Sequence, residues 1–325
     1  MPRTPELLSR PPDLAGARPR AWRARWQAVG LAVAALGCFA LLAADLGGGP
    51  TGDGPAGTTS GDVTDAGSPG STSQDGTKQS AKKKAKPTPA VRYPDEKSTG
   101  VPAGVVLQPS GPLVITQPGA VIDGLEITGT VVVAADDVTI RRSRILGDTG
   151  SIIIKNEGLN LLVVDTEIDG RGKGGPAVAF RDYTLLRVNI HDVAEGPRIA
   201  GGNVTIAESY VHHLVQVGDN HTDVIQAVSG SKIVIKGNSL QAFNPDTGKL
   251  GNAAFMFGED DNPLRDCLVE GNLMNGGNYT VNGGGRGTTG AACTFKSNAF
   301  GTDFRYGTHA NLGPNVVWDS TNTSR

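Results

Sequence analysis

Aliphatic and polar residues alternate over short runs that recur along the C-terminal part of the chain. The runs read VTIRRSRI (138–145), LLVVDTEI (161–168), YTLLRVNI (183–190), VTIAESYV (204–211), IVIKGNSL (233–240), CLVEGNLM (267–274) and CTFKSNAF (293–300), after a degenerate first copy, VIDGLEI (121–127). Their closing residues, Ile127, Ile145, Ile168, Ile190, Val211, Leu240, Met274 and Phe300, are 18, 23, 22, 21, 29, 34 and 26 positions apart. Period-2 alternation predicts a strand in each copy. A strand-only repeat of this length predicts a solenoid of the parallel β-helix kind. Further strands fall between copies at 130–134, 151–155, 177–181, 223–228, 253–257 and 279–281, so each coil has at least two.

Stacking coils about 4.8 Å apart puts equivalent residues in lines along the axis. Ser143, Thr166, Ser209, Asn238, Asn272 and Asn298 share one such line. Side-chain amides so stacked can hydrogen-bond as a ladder and satisfy buried turn groups. Cys267 and Cys293 share the first inward position of adjacent copies. That spacing is within disulfide reach, though two free thiols as small core residues fit equally.

Composition locates the repeat within a longer plan. The 325 residues include 46 Gly and 20 Pro, only 5% are aromatic, and the net charge is −2, which excludes a generally basic nucleic-acid binder. Residues 1–27 carry six arginines against Glu6 and Asp13, and Ala28 to Ala44 are free of charge. Residues 28–46 are therefore expected to be a transmembrane signal-anchor, or a signal peptide cleaved after Ala43-Ala44, with the basic 1–27 in the cytoplasm. A buried cytosolic helix and a lipoprotein signal through Cys38 are weaker alternatives. Residues 47–90 hold one large aliphatic, Val63, and end in a lysine run, the composition of a disordered linker. The remaining 91–325 form the β-helix domain. It is expected to be extracytoplasmic, held at the cell membrane through 28–46 or secreted after cleavage.

These copies, with the opening YPDEKSTGVPAG (93–104), the VIDGLEITG first coil and the central HTDVIQ, resemble the right-handed parallel β-helix proteins of the pectin lyase-like superfamily, exported actinobacterial-type members above all. The resemblance implies a right-handed coil and an extracellular carbohydrate context, and leaves the activity open among lyases, hydrolases, epimerases and adhesins. Asn220-His221-Thr222-Asp223 is similar to the Asn-Thr-Asp triplet of the polygalacturonase-like hydrolases. No Gly-His-Gly or Arg-x-Lys follows it, Asp260-Asp261 lies in a turn, and the epimerase signature is missing, which counts against both activities.

The richest polar cluster lies between Ile190 and Gln226. Repeat alignment puts Asp169, His191 and His212 in one line and Gly170, Asp192 and His213 in the next, with Arg198 beside Gln226 facing outward. A uronate lyase needs a cation for the substrate carboxylate and a base for the neighbouring proton, roles open to Arg198 and to His221 or His212. Asp192 and Asp223 are the pair a hydrolase would use. Candidate catalytic residues are thus His221, Asp223, His212 and Arg198, and candidate substrate-binding residues Gln226, His191, Asp192 and His213. His191, His212 and His213 show no recognised zinc spacing, so no metal is assigned. Glu259, Asp260, Asp261 and Asn262 offer hard oxygens to Ca2+, but a solvated acidic turn is preferred, and the cofactor is left unassigned. Arg141, Arg142 and Arg144 form a local basic patch. The expectation is a monomeric, membrane-tethered β-helix that binds polysaccharide on a lateral face and no nucleic acid. A polysaccharide lyase and a non-catalytic adhesin or scaffold are the rivals.

Overall fold

The computed structural model describes residues 91–218, 221–258, 263–283 and 290–325. The expected anchor at 28–46, the linker at 47–90 and the acidic turn at 259–262 lie outside the described residues. No helix among the described residues is long and apolar enough to cross a membrane.

Each coil contributes one strand to each of three parallel sheets, so the described domain is a parallel β-helix. Sheet I runs from Val121–Asp123 to Val317–Trp318, sheet II from Gln108–Ser110 to Thr323–Ser324, and sheet III from Leu113–Ile115 to Gly307–Ala310. Each sequence copy, expected to be one strand, is two. The 138–145 copy gives Thr139–Arg141 to sheet I and Arg144–Leu146 to sheet II. The cause is one left-handed residue between them, with φ of 46° at Arg142, 50° at Asp165 and Arg187, 49° at Glu208 and 54° at Ser297. Gly237 and Gly271 take that place in the later copies. The bend turns the chain onto the next face without interrupting the inward alternation. All eight closing residues, from Ile127 to Phe300, are buried in the core.

The inward polar line is a hydrogen-bonded ladder. Asn238 donates its backbone N–H and its Nδ2 to Asn272 Oδ1, both at 2.9 Å, and Nδ2 also reaches Ile206 O at 2.8 Å. Asn272 does the same to Asn298, and Asn298 to Asn322, which adds a rung at the C-terminal end. Earlier coils use hydroxyls: Val188 N–H donates to Ser209 Oγ and Leu125 N–H to Ser143 Oγ. Toward the C-terminus aromatic side chains fill the coil, and Trp318 packs on Phe295 and Phe300.

Cys267 pairs in register with Cys293, and the two are joined by a disulfide with Cα atoms 4.4 Å apart. The link spans 26 positions, so removing its constraint from the unfolded chain should cost about 3–4 kcal/mol. Reductant is expected to lower the denaturant midpoint of the C-terminal coils accordingly. An unchanged midpoint would mean the bond adds nothing to the native state.

Residues 91–100 form a strap along sheet II. Gly100 N–H donates to Arg187 O at 3.0 Å, and Gly100, at φ 78°, sits where a Cβ would lie 3.1 Å from Asn189 Cβ. At the other end the Tyr93 ring lies under the Arg325 guanidinium, 4.8 Å from its centroid. The insert after Leu240 carries a hairpin, Ser239–Asn244 antiparallel to Lys249–Leu250. The expected basic patch is neutralised, because Arg141 and Arg142 both pair with Asp123 and Arg144 bridges Glu126 and Glu167.

Candidate functional site

The polar residues between Ile190 and Gln226 separate into two groups, one at the end of the sheet II strands and one on sheet III. In the first, Asp169, His191 and His212 are consecutive register partners. The residues after them, Asp192 and His213, are left-handed with φ of 53° and 49°. Alternation would point consecutive side chains to opposite faces; the left-handed residue brings them together.

His191 is held between carboxylates, with Nδ1 2.7 Å from Asp192 Oδ2 and Nε2 3.4 Å from Glu167 Oε1. Burial works against its charge, but Glu167, Asp192 and Asp169 outweigh it and raise its pKa to about 9. The same contact with His191, joined by Arg144 and opposed by burial, depresses the Glu167 carboxyl. His212 stacks on Tyr210 with ring centroids 3.8 Å apart. Its Nε2 lies 2.9 Å from Asn189 Oδ1, and its Nδ1 faces Nδ1 of His213. Burial first, then His213 and His191, push its pKa down to about 3, so this imidazole is neutral. His213 Nε2 lies 3.5 Å from Asp246 on the hairpin.

The second group is built on two coils with the same spacing, Glu195-x-x-Arg198 and Asp223-x-x-Gln226. Arg198 and Gln226 are register partners, and Gly196 N–H donates to Asp223 O at 3.0 Å, so the acids are adjacent as well. Asp223 is fully buried and accepts from Asn252 Nδ2 at 2.9 Å. Burial chiefly, with Glu195 adding and Asn252 and Arg198 opposing, raises its pKa to about 7. Burial raises Glu195 too, against the pull of Arg198, whose Nη1 is 3.5 Å from Glu195 Oε2. Three buried oxygens here, Glu195 Oε1, Asp223 Oδ2 and Gln226 Oε1, have no donor among the described residues. Buried acceptors are paired in the large majority of native sites, so three together mark a place built to receive donors.

The expected residues are therefore regrouped. Arg198, Gln226 and Asp223 come together on sheet III; Gln226 faces outward as its register required but is half-buried, and Asp223 is inside the wall. His191, Asp192, His212 and His213 belong to the sheet II group, so His212 is no neighbour of Arg198. The carboxylate beside Asp223 is Glu195, not Asp192. His221 is exposed on the loop leading to Asp223. Sequence reading missed Glu195, although its three-residue offset from Arg198 repeats that of Asp223 from Gln226. Two surface depressions lie elsewhere, on sheet I: one of about 470 Å3 lined by Thr184, Thr205, Lys232 and Asp266, and one of about 380 Å3 beside Cys267 and Cys293. They are wide and shallow and hold no buried unpaired oxygen, so the sheet III group is the stronger candidate. No family model, curated protein or solved structure matches the chain.

Proposed function

We propose that the protein is an exported, membrane-tethered, right-handed β-helix of the pectin lyase-like kind that binds an acidic polysaccharide on its sheet III face. The observation that carries this reading is the set of three buried, donor-free oxygens of Glu195, Asp223 and Gln226 beside Arg198. Sugar hydroxyls supply donors in that number, and a uronate carboxylate matches the guanidinium fork. A rigid sheet repeating every ~4.8 Å holds these groups fixed against a long polymer.

A lyase is the second reading, favoured by the raised carboxyl pKa values. A base that titrates near neutrality is suited to proton abstraction. Asp223 or Glu195 would take the proton at C5 of a uronate while Arg198 holds its carboxylate. The C4–O bond then breaks, a C4=C5 double bond forms, and the departing oxygen takes up a proton. His221, exposed nearby in sequence, is the remaining candidate for that last transfer.

Affinity electrophoresis of the full-length protein in mild detergent, through gels of polyuronate or neutral glycan, tests binding. Absorbance of unsaturated uronate tests cleavage. Arg198→Ala is expected to weaken polyuronate retardation about 10–100-fold, the worth of a charged hydrogen-bonded contact. Lys232→Ala, in the sheet I depression, should change it little. Loss in Lys232→Ala with retention in Arg198→Ala would move the site to sheet I. No retardation by any glycan would favour the adhesin or scaffold reading.

A further inference from the structure

The end of the sheet II strands holds two sets of side chains dense enough to consider for a cation: Asp169, His191 and Asp192, and Glu96, His212 and His213. They differ in what their rings have left to offer. Both nitrogens of His191 face carboxylates, Asp192 on one side and Glu167 on the other. That ring donates from both nitrogens and has no lone pair for a metal. His212 and His213 are oriented the opposite way. Nε2 of His212 faces Asn189 Oδ1, an acceptor, so it carries that ring's proton, and Nε2 of His213 lies 3.5 Å from the Asp246 carboxylate. The lone pair of the neutral His212 ring is then on Nδ1, and the Nδ1 atoms of the two rings are the ones that face one another. The Glu96 carboxylate, from the strap, completes the set, with one of its oxygens and one nitrogen of each ring all within 4.8 Å of one another.

We propose that Glu96, His212 and His213 form a divalent transition-metal site, zinc being the ion that suits them, which clips the strap 91–100 onto the coils. Two imidazoles and one carboxylate are a recognised zinc donor set that leaves a fourth position open. Calcium and magnesium prefer all-oxygen shells. Asn189 supplies the outer hydrogen bond that orients the His212 ring, and the Asp246 carboxylate lies 3.5 Å from His213 Nε2. The left-handed backbone of His213, φ 49°, is a conformation a bulky residue rarely adopts, and it is what aims two consecutive side chains at one point. The clip joins segments more than a hundred positions apart, as Glu96 lies ahead of the first coil and the histidines lie in the middle of the domain. A proton on His213 Nδ1, donated to His212 Nδ1, would also satisfy both rings without an ion. The experiment has to separate the two.

Chelator-stripped full-length protein is titrated with Zn2+ against a chromophoric chelator, and with Co2+ while visible absorption is followed. The expected result is one ion per chain, cobalt bands of a low-coordinate N/O site, and no displacement by excess Ca2+. Glu96→Gln, at an exposed position that leaves the fold undisturbed, and His213→Ala should each weaken binding about tenfold or more, since even outer-shell changes have that effect. Zn2+ should also slow tryptic cleavage after Lys97 in the wild-type chain and not in Glu96→Gln. Three results would overturn the proposal: no bound ion, which leaves a proton between the two rings; Glu96→Gln binding as tightly as wild type; or loss of the ion in His191→Gln but not in His213→Ala.

Discussion

Asn272→Ala is expected to destabilise the β-helix by about 3–6 kcal/mol. Asn272 is fully buried in the middle of the ladder. Its Oδ1 accepts from Asn238 N–H and Nδ2, and its Nδ2 donates to Ile235 O at 2.9 Å. Removing the side chain takes this partner from Asn238 N–H and from Ile235 O and leaves Asn238 Nδ2 with Ile206 O alone, each loss inside the coil costing about 1–3 kcal/mol. Water cannot repair the loss, because the position is sealed by the coils on either side. Asn272→Ser should cost far less, since a hydroxyl still accepts from the neighbouring N–H, as Ser209 does for Val188. The comparison is made with denaturant midpoints, and with amide exchange to localise the effect, because repeat arrays can lose cooperativity along the axis. Equal midpoints for the Ala and Ser variants would show that the ladder's hydrogen bonds are not what holds this turn.

Asp223→Asn is expected to stabilise the protein at pH 8 by about 4 kcal/mol while abolishing function at the sheet III face. Burial lifts the Asp223 pKa from 3.8 unfolded to about 7 folded. A carboxyl raised in this way contributes fully below the unfolded value, and that contribution is lost as pH rises through the folded value. Three pH units of difference at about 1.4 kcal/mol each give the size of the loss. Wild-type stability should therefore decline between about pH 4 and pH 8, and the Asn variant should flatten that decline. An amide retains an acceptor for Asn252 Nδ2 and removes the buried charge beside Glu195. Urea denaturation across this pH range checks the prediction. A wild-type profile with the same slope as Asp223→Asn would mean that Asp223 titrates as an ordinary carboxyl. Such a stability cost at one buried acid, next to an arginine and two further donor-free oxygens, is what a group kept for its chemistry looks like.

Much of the architecture was legible because a solenoid converts sequence separation into spatial adjacency. The eight closing apolar residues, the asparagine rungs, the Cys267–Cys293 register and the Arg198–Gln226 pair all follow from aligning copies by their alternation. The split of each copy into two strands was hidden, since a single left-handed residue such as Arg142 or Asp165 bends the chain without disturbing the inward pattern. The basic patch at Arg141, Arg142 and Arg144 misled for a related reason. Its neutralising partners Asp123, Glu126 and Glu167 sit one coil away, where a reading along the chain does not look.

The amino-acid sequence alone determined the coil, its ladder and which residues share a line, because those depend on local alternation and a nearly constant repeat. The tertiary structure decided what the lines do. It set Glu195 against Asp223, sank that pair into the wall, and separated the histidines from Arg198 by a sheet corner. It also laid Glu96 of the strap against His212 and His213. Burial and the convergence of non-repeating segments create those properties, and neither is written in the period of a repeat.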